Sequence, residues 1–153
     1  MPVLSVAELK SGLGRDRRLL GLDLGTKTIG LALSDVSRTI ATPLLTIARS
    51  KFTRDARELF AVVDAHDVGG LVLGLPVSMD GTEGPRCQSA RQFATNILAL
   101  REMPLAFWDE RLSTAAVTRT LLEADASRKR RAEVVDKMAA AYILQGALDA
   151  RGT

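Results

Sequence analysis

The sequence predicts an α/β fold built on a mixed five-stranded sheet flanked by helices. Three observations carry that reading. Two short apolar runs meet at a Gly-Thr-Lys turn in LLGLDLGTKTIGLALSD, Leu19 to Asp35. From Thr53 the apolar spacing changes from two residues to three and four. Two further apolar runs, GLVLGL and LAFW, each follow an amphipathic stretch. The first three strands have no room for a crossover helix between them, so they pair antiparallel. The fourth and fifth, each reached through a helix, are expected to run parallel.

Taken in order, Arg17–Asp23 and Thr28–Ser34 are the first two strands. In the second, Ile29, Leu31 and Leu33 alternate with Gly30, Ala32 and Ser34, giving a bulky face and a small one. Ala41–Ala48 is the third strand. A helix follows from Thr53, its expected N-cap, with Ala56, Leu59, Phe60 and Val63 inward and His66 and Gly69 near its end. Gly70–Leu75 is a strand buried on both faces. PVSMDGTEGPR is a turn-rich loop, and Arg86–Leu100 a helix burying Ala90, Phe93, Ala94, Ile97 and Leu98. Leu105–Trp108 is the fifth strand. Ser113 caps a helix through Leu122, and Ala132–Leu148 is a last helix with Val135, Met138, Ala139 and Tyr142 on one side. Residues 17–148 form one domain, residues 1–16 a flexible extension and 149–153 a tail.

With 153 residues, 46% hydrophobic and 25% charged, the chain suits a single globular domain with an aliphatic core. Its 21 Lys and Arg against 18 Asp and Glu leave a net charge of +3, which mildly favours a polyanionic partner. One cysteine, Cys87, excludes an internal disulfide or a cysteine-built zinc site, and one histidine, His66, excludes a His-rich metal site. No run approaches the roughly eighteen apolar residues that span a bilayer. The first residues lack the charged-then-apolar order of an export signal, and with a free thiol the expected location is the cytoplasm.

Acids stand in apolar surroundings at three places. Asp23 closes the first strand, Asp109 and Glu110 follow the fifth, and Asp136 lies within the last helix. Carboxylates there lose hydration and need a metal, a cation or several N–H donors. Asp23 could instead cap its own turn, and Asp136 could face the positive helix end or pair with Lys137 or Arg131. If the fifth strand persists that far, neighbours point to opposite faces, so only one of Asp109 and Glu110 can face Asp23, and parity leaves open which. Three convergent carboxylates without a His or Cys cluster form an oxygen-donor set suited to Mg²⁺ or Mn²⁺. Such sites hold one ion, or two about 4 Å apart, for in-line attack on a phosphodiester.

Basic residues surround these acids. Arg111 follows the acidic pair, Lys27 and Thr28 lie in the turn beside Asp23, and Arg128, Lys129, Arg130 and Arg131 precede the helix bearing Asp136. Tyr142, Phe93 and Phe107 fall on apolar stripes and are read as core, as is Trp108, whose place beside the acids leaves a contact role open, so no aromatic series is left for stacking bases. That favours recognition of backbone shape.

GLDLGTKTIGLALSD (Gly21–Asp35), LVLGLPVSMDGTEGP (Leu71–Pro85), WDERLST (Trp108–Thr114) and KRRAEVVDKMAAAYILQ (Lys129–Gln145) resemble, in order, the motifs of the YqgF/RuvX family. These are small bacterial proteins with an RNase H-like fold, described as pre-16S rRNA nucleases and formerly as Holliday junction resolvases. The resemblance matches the family's acids to Asp23, Asp109-Glu110 with Arg111, and Asp136, and its glycines to Gly25, Gly30, Gly74 and Gly81. It implies Mg²⁺- or Mn²⁺-dependent trimming of the 5′ end of precursor 16S rRNA in ribosome biogenesis. Asp23, Glu110 and Asp136 would be metal ligands and catalytic residues. Lys27, Thr28, Asp109, Arg111, Arg128, Lys129, Arg130 and Arg131 would contact substrate. The implied partners are precursor rRNA and the small ribosomal subunit or its precursor, with the protein a monomer or homodimer.

Three rivals use the same residues. Resolution of branched DNA needs the same acids and a symmetric dimer. DLGT before an apolar strand also resembles the phosphate loop of the actin, Hsp70 and sugar-kinase superfamily, but that fold needs two such domains. An RNA-binding assembly factor with an idle acidic site is the non-enzymatic alternative.

Overall fold

The computed structural model describes residues 3–13, 17–112 and 128–150, with side chains from 137 onward in the last segment. Alternation along β1 (Arg18–Leu24) sets the architecture. Leu20, Leu22 and Leu24 point to one side of the sheet, and Leu19, Gly21 and Asp23 to the other. β1 pairs antiparallel with β2 (Thr28–Ser34), Gly21 opposite Ala32 and Asp23 opposite Gly30. β2 pairs antiparallel with the edge strand β3 (Ala41–Ala48), where Pro43 is tolerated because one side of the strand has no neighbour. On its other side β1 pairs parallel with β4 (Val68–Leu75), which pairs parallel with β5 (Leu105–Asp109). The sheet order is β3-β2-β1-β4-β5, with the antiparallel and parallel pairings that the connection lengths predict.

Helices cover both faces. The first core joins Leu20, Leu22, Leu31, Leu71 and Leu73 to Leu59 and Ile97, which come from α2 (Phe52–Ala65) and α3 (Pro85–Leu100). The second joins Leu19, Val72 and Trp108 to Ile143 and Leu144 of the long last helix, Arg128–Asp149. Against that second core lies a helix at the amino end, α1 (Val6–Gly12), with Val6 and Leu9 buried. In chain order the last helix is α4.

The structure departs from the sequence reading at several places. Residues 4–12, read as part of a flexible extension, form instead a bridge from Leu4 to Ala106 and the helix α1. Ser5 and Glu8 close a capping box at its start. The N-cap of α2 is Lys51 rather than Thr53. The Ser50 amide and hydroxyl donate to the buried carboxylate of Asp55 just before it. β4 begins at Val68, because Val68 and Gly69 are buried with the rest of the strand. α4 begins at Arg128, so the basic run forms its first turn instead of preceding it. The helix expected over 113–122 lies outside the described residues.

The buried stripe of α4 also differs. Ala139, Ala140, Ile143, Leu144 and Ala147 face the sheet, while Tyr142 is exposed and Met138 only half-buried. The reason is steric. A Cβ at Gly21 would stand 2.8 Å from Leu144 Cβ and 2.9 Å from the Ala140 carbonyl oxygen, so helix and strand touch almost backbone to backbone. Alanines fit that approach and a tyrosine does not. Lys10 Nζ donates to the carbonyls of Ala147 (3.0 Å), Leu148 (3.2 Å) and Ala150 (2.7 Å), closing the carboxyl end of α4. Gln145 bridges to the β2–β3 connection, accepting from Ala41 N and donating to Thr39 O, both at 2.9 Å.

Gly21→Ala therefore forces α4 away from β1 and is expected to cost about 1–3 kcal/mol of stability. Gly12→Ala, with open space around it, is expected to stay within about 0.5 kcal/mol. Chemical denaturation midpoints of the two variants check both values.

Candidate active site

Parallel strands finish at a common edge, and β1, β4 and β5 end at Leu24, Leu75 and Asp109. Asp23 lies one residue inside that edge. It shares the α4 side of β1 with Gly21 and is 1% exposed. After Asp109 the chain tightens into a 3-10 turn, Glu110–Leu112. Glu110 is 2% exposed. Its Oε2 would lie 3.1 Å from a Cβ at Gly74, on the side where Ile143 of α4 would approach that atom to 2.5 Å. Gly74 belongs to β4, the strand between β5 and β1. The missing side chain at Gly74 thus lets the Glu110 carboxylate lie over β4, on the face that holds Asp23. Of the acidic pair, Glu110 is the one on that face.

Asp109 has a different occupation. Its carboxylate takes Arg111 Nη2 at 2.7 Å, Nε at 3.0 Å and the Arg111 amide at 2.9 Å. This fixes the guanidinium at the carboxyl edge, where Nη1 also reaches Ser78 O of the β4–α3 loop. Within that loop Asp80 accepts from Thr82 N and Oγ1, and Gly81, at φ 89°, makes a turn that L side chains disfavour. Glu83 holds Arg91. In the β1–β2 turn Lys27 is exposed and Thr28 is buried at the start of β2. Position 136 lies within α4, one turn before Ala140; the side chains of Asp136 and of Arg128, Lys129, Arg130 and Arg131 lie outside the described residues. Trp108 is buried against Gly146 of α4 and belongs to the core. Two cations absent from the sequence reading also stand at this edge. Arg49 Nη1 donates to Gly25 O at 2.7 Å and Arg86 Nη2 to Leu24 O at 3.0 Å. Nothing in the local sequence marks Arg49, which reaches the site only through β2–β3 pairing; Arg86 could have been noticed as the residue after Pro85 at a helix start.

The family described as "RuvX: Holliday junction resolvase" matches residues 17–150. The chain belongs to the RuvX family. A relative from Paramagnetospirillum magneticum named "Putative pre-16S rRNA nuclease" is 77% identical over 99% of this chain and 97% of its own length. One of the same name from Rhodospirillum rubrum is 64% identical over 98% of this chain and 94% of its own. Among solved structures, Thermus thermophilus RuvC in complex with a Holliday junction superposes with a TM-score of 0.53. It is 13% identical, covering 86% of this chain and 93% of that one, and shows the shared fold.

In this RuvX-family chain the residues at the edge fit a hard divalent cation. Asp23 and Glu110 offer oxygen donors only, in a place from which bulk water is largely excluded. Withdrawing two carboxylates from water costs several kcal/mol each unless positive charge or donors offset it. His66 ends α2 at the opposite, amino edge of the sheet, and Cys87 is buried in the other core, where burial raises its thiol pKa. Neither joins the acids. Among the described residues no cluster of three acidic, His or Cys side chains is present, and position 136 lies outside that set.

The Arg111 guanidinium holds the Asp109 carboxyl below the usual aspartate range. A depressed folded-state value means that the pair contributes above the ordinary aspartate titration and is lost only as pH falls through the lowered one. A carbon-13 NMR titration of Asp109 is expected to show that low midpoint, and Arg111→Gln to return it toward the ordinary range.

Proposed function

We propose that this protein is a Mg²⁺- or Mn²⁺-dependent nuclease that trims the 5′ end of precursor 16S rRNA. The observation that carries the reading is the pair of buried carboxylates, Asp23 and Glu110, brought to one face across the bare backbone of Gly74. Asp136 is proposed as the third ligand. Its place one turn before Ala140, whose carbonyl abuts Gly21, supports this, since positions four apart share a helix face. The name carried by relatives at 77% and 64% identity supports the substrate. The proposed setting is the cytoplasm, with the small ribosomal subunit or its precursor as partner; no helix among the described residues is long and apolar enough to cross a membrane.

A divalent ion bound there would supply Lewis-acid charge to the scissile phosphate and lower the pKa of the attacking water. The chain's own groups supply the rest. Asp23 holds its oxygens on a packed strand and Glu110 in the buried turn directly after one, so little reorganisation precedes reaction. Arg111, oriented by Asp109, presents its remaining N–H donors toward a phosphate oxygen on the scissile strand. Lys27, Thr28 and the basic first turn of α4 (Arg128, Lys129, Arg130, Arg131) serve the flanking backbone. The same acids would serve a four-way DNA junction, the substrate in the family's description.

The test assays purified protein on precursor 16S rRNA and on a four-way DNA junction, each with Mn²⁺ and with EDTA. Cutting of the RNA is expected with Mn²⁺ and not with EDTA, and Asp23→Asn is expected to reduce it to background with the melting transition retained. Rapid turnover of the junction without the RNA would reassign the substrate, and wild-type turnover by Asp23→Asn would end the metal-site reading.

A further inference from the structure

We propose that the cleft between the β1–β2 turn and the start of α3 is a second phosphate subsite. It would take a phosphodiester of the substrate chain adjacent to the one that is cut. The inference rests on the nuclease reading and extends it to two residues, Arg49 and Arg86, that the acidic site does not use.

The cleft has a volume of about 200 Å³, and Gly25, Thr26, Arg49, Arg86 and Ser89 are among its lining residues. Its two arginines come from opposite sides. Arg49 follows β3 and is anchored on the Gly25 carbonyl; Arg86 sits in the first turn of α3 and is anchored on the Leu24 carbonyl. A guanidinium has five N–H donors, so each anchor uses one and fixes the plane while leaving most of the fork unused. Arg54, Arg91, Arg101 and Arg111 are neutralised by Glu58, Glu83, Asp64 and Asp109. Arg49 and Arg86 have no such acid among the described residues. Two like charges held on one turn without a counter-ion repel each other, and an anion between them reverses the sign of that interaction.

The position selects the anion. Leu24, whose carbonyl holds Arg86, directly follows Asp23. The cleft therefore opens at the same carboxyl edge as the acids, but on the α3 side of the sheet. A sugar-phosphate chain crossing that edge past Asp23 would bring its next phosphate to the arginines, with the Thr26 and Ser89 hydroxyls as neutral donors. Arginine forks suit the paired non-bridging oxygens of a phosphodiester.

The test is a binding measurement in EDTA, so that cutting does not enter. Fluorescence anisotropy of a labelled 5′-extended 16S precursor fragment is followed across a salt series for the wild type and for Arg49→Gln/Arg86→Gln. The same is done with a four-way DNA junction and with inorganic phosphate as competitor. The double variant is expected to bind the RNA roughly tenfold more weakly at low salt. The slope of log K against log salt should fall by about 0.7 for each phosphate that the variant no longer neutralises. Arg49→Lys/Arg86→Lys, which keeps both charges, should recover the slope but only part of the affinity. Exposed Arg86 replaced alone by Gln gives the same direction in a variant that leaves the Arg49 anchor intact. Unchanged affinity and slope in the Gln variants would overturn the subsite, as would a wild type that binds neither nucleic acid. An effect confined to phosphate competition would overturn its assignment to the substrate chain. Failure of the nuclease reading is separate, because it appears as absence of cutting by the wild type with Mn²⁺ while these slopes are still measured.

Discussion

The close approach of α4 to the sheet is the constraint on which the rest of this structure depends. Gly21 and Gly74 leave the α4 side of β1 and β4 without Cβ atoms, and the helix settles into that space with Leu144, Ala140 and Ile143 against bare backbone. Gly146 makes the reciprocal concession, admitting the face of Trp108. Lys10 and Gln145 then fix the carboxyl half of the helix from two directions. The same absence of a side chain at Gly74 gives Glu110 its path over β4. Packing and site geometry are therefore one problem: a larger residue at Gly74 would push on Ile143 and on the Glu110 carboxylate together.

Much of this was legible in the sequence. Alternation in TIGLALS and the all-apolar GLVLGL gave β2 and β4, and connection lengths gave the antiparallel and parallel pairings. What periodicity could not resolve was the orientation of α4. Both Met138-Tyr142 and Ala140-Ile143-Leu144 are apolar at helical spacing, and the choice between them is made by contact with Gly21, a residue more than a hundred positions away. The amino-terminal helix was missed for a related reason. Val6 and Leu9 are too few to make a periodic pattern, yet both are buried once α4 and β5 offer a surface.

The site was legible in its residue types and only partly in its geometry. Parity separated Asp109 from Glu110 without saying which turned inward. The structure divides their work: Glu110 joins the face of Asp23, and Asp109 stays at the rim holding Arg111. Arg49 has no local mark, because cations scattered along a sequence look alike until strand pairing gathers them at one edge, and Arg86 carries only the mark of a helix start. That edge then carries buried carboxyl groups on the α4 side and anchored arginines toward α3, an arrangement suited to a metal and a polyanion side by side.

Thermal melting under Mn²⁺ titration tests the central claim most directly, since a ligand that binds only the folded state raises the melting temperature with concentration. If Asp23 and Glu110 share a divalent ion, the wild type will gain stability as Mn²⁺ rises and Glu110→Gln will lose most of that gain. A wild-type melting temperature indifferent to Mn²⁺, or a gain that survives intact in Glu110→Gln, would contradict the account.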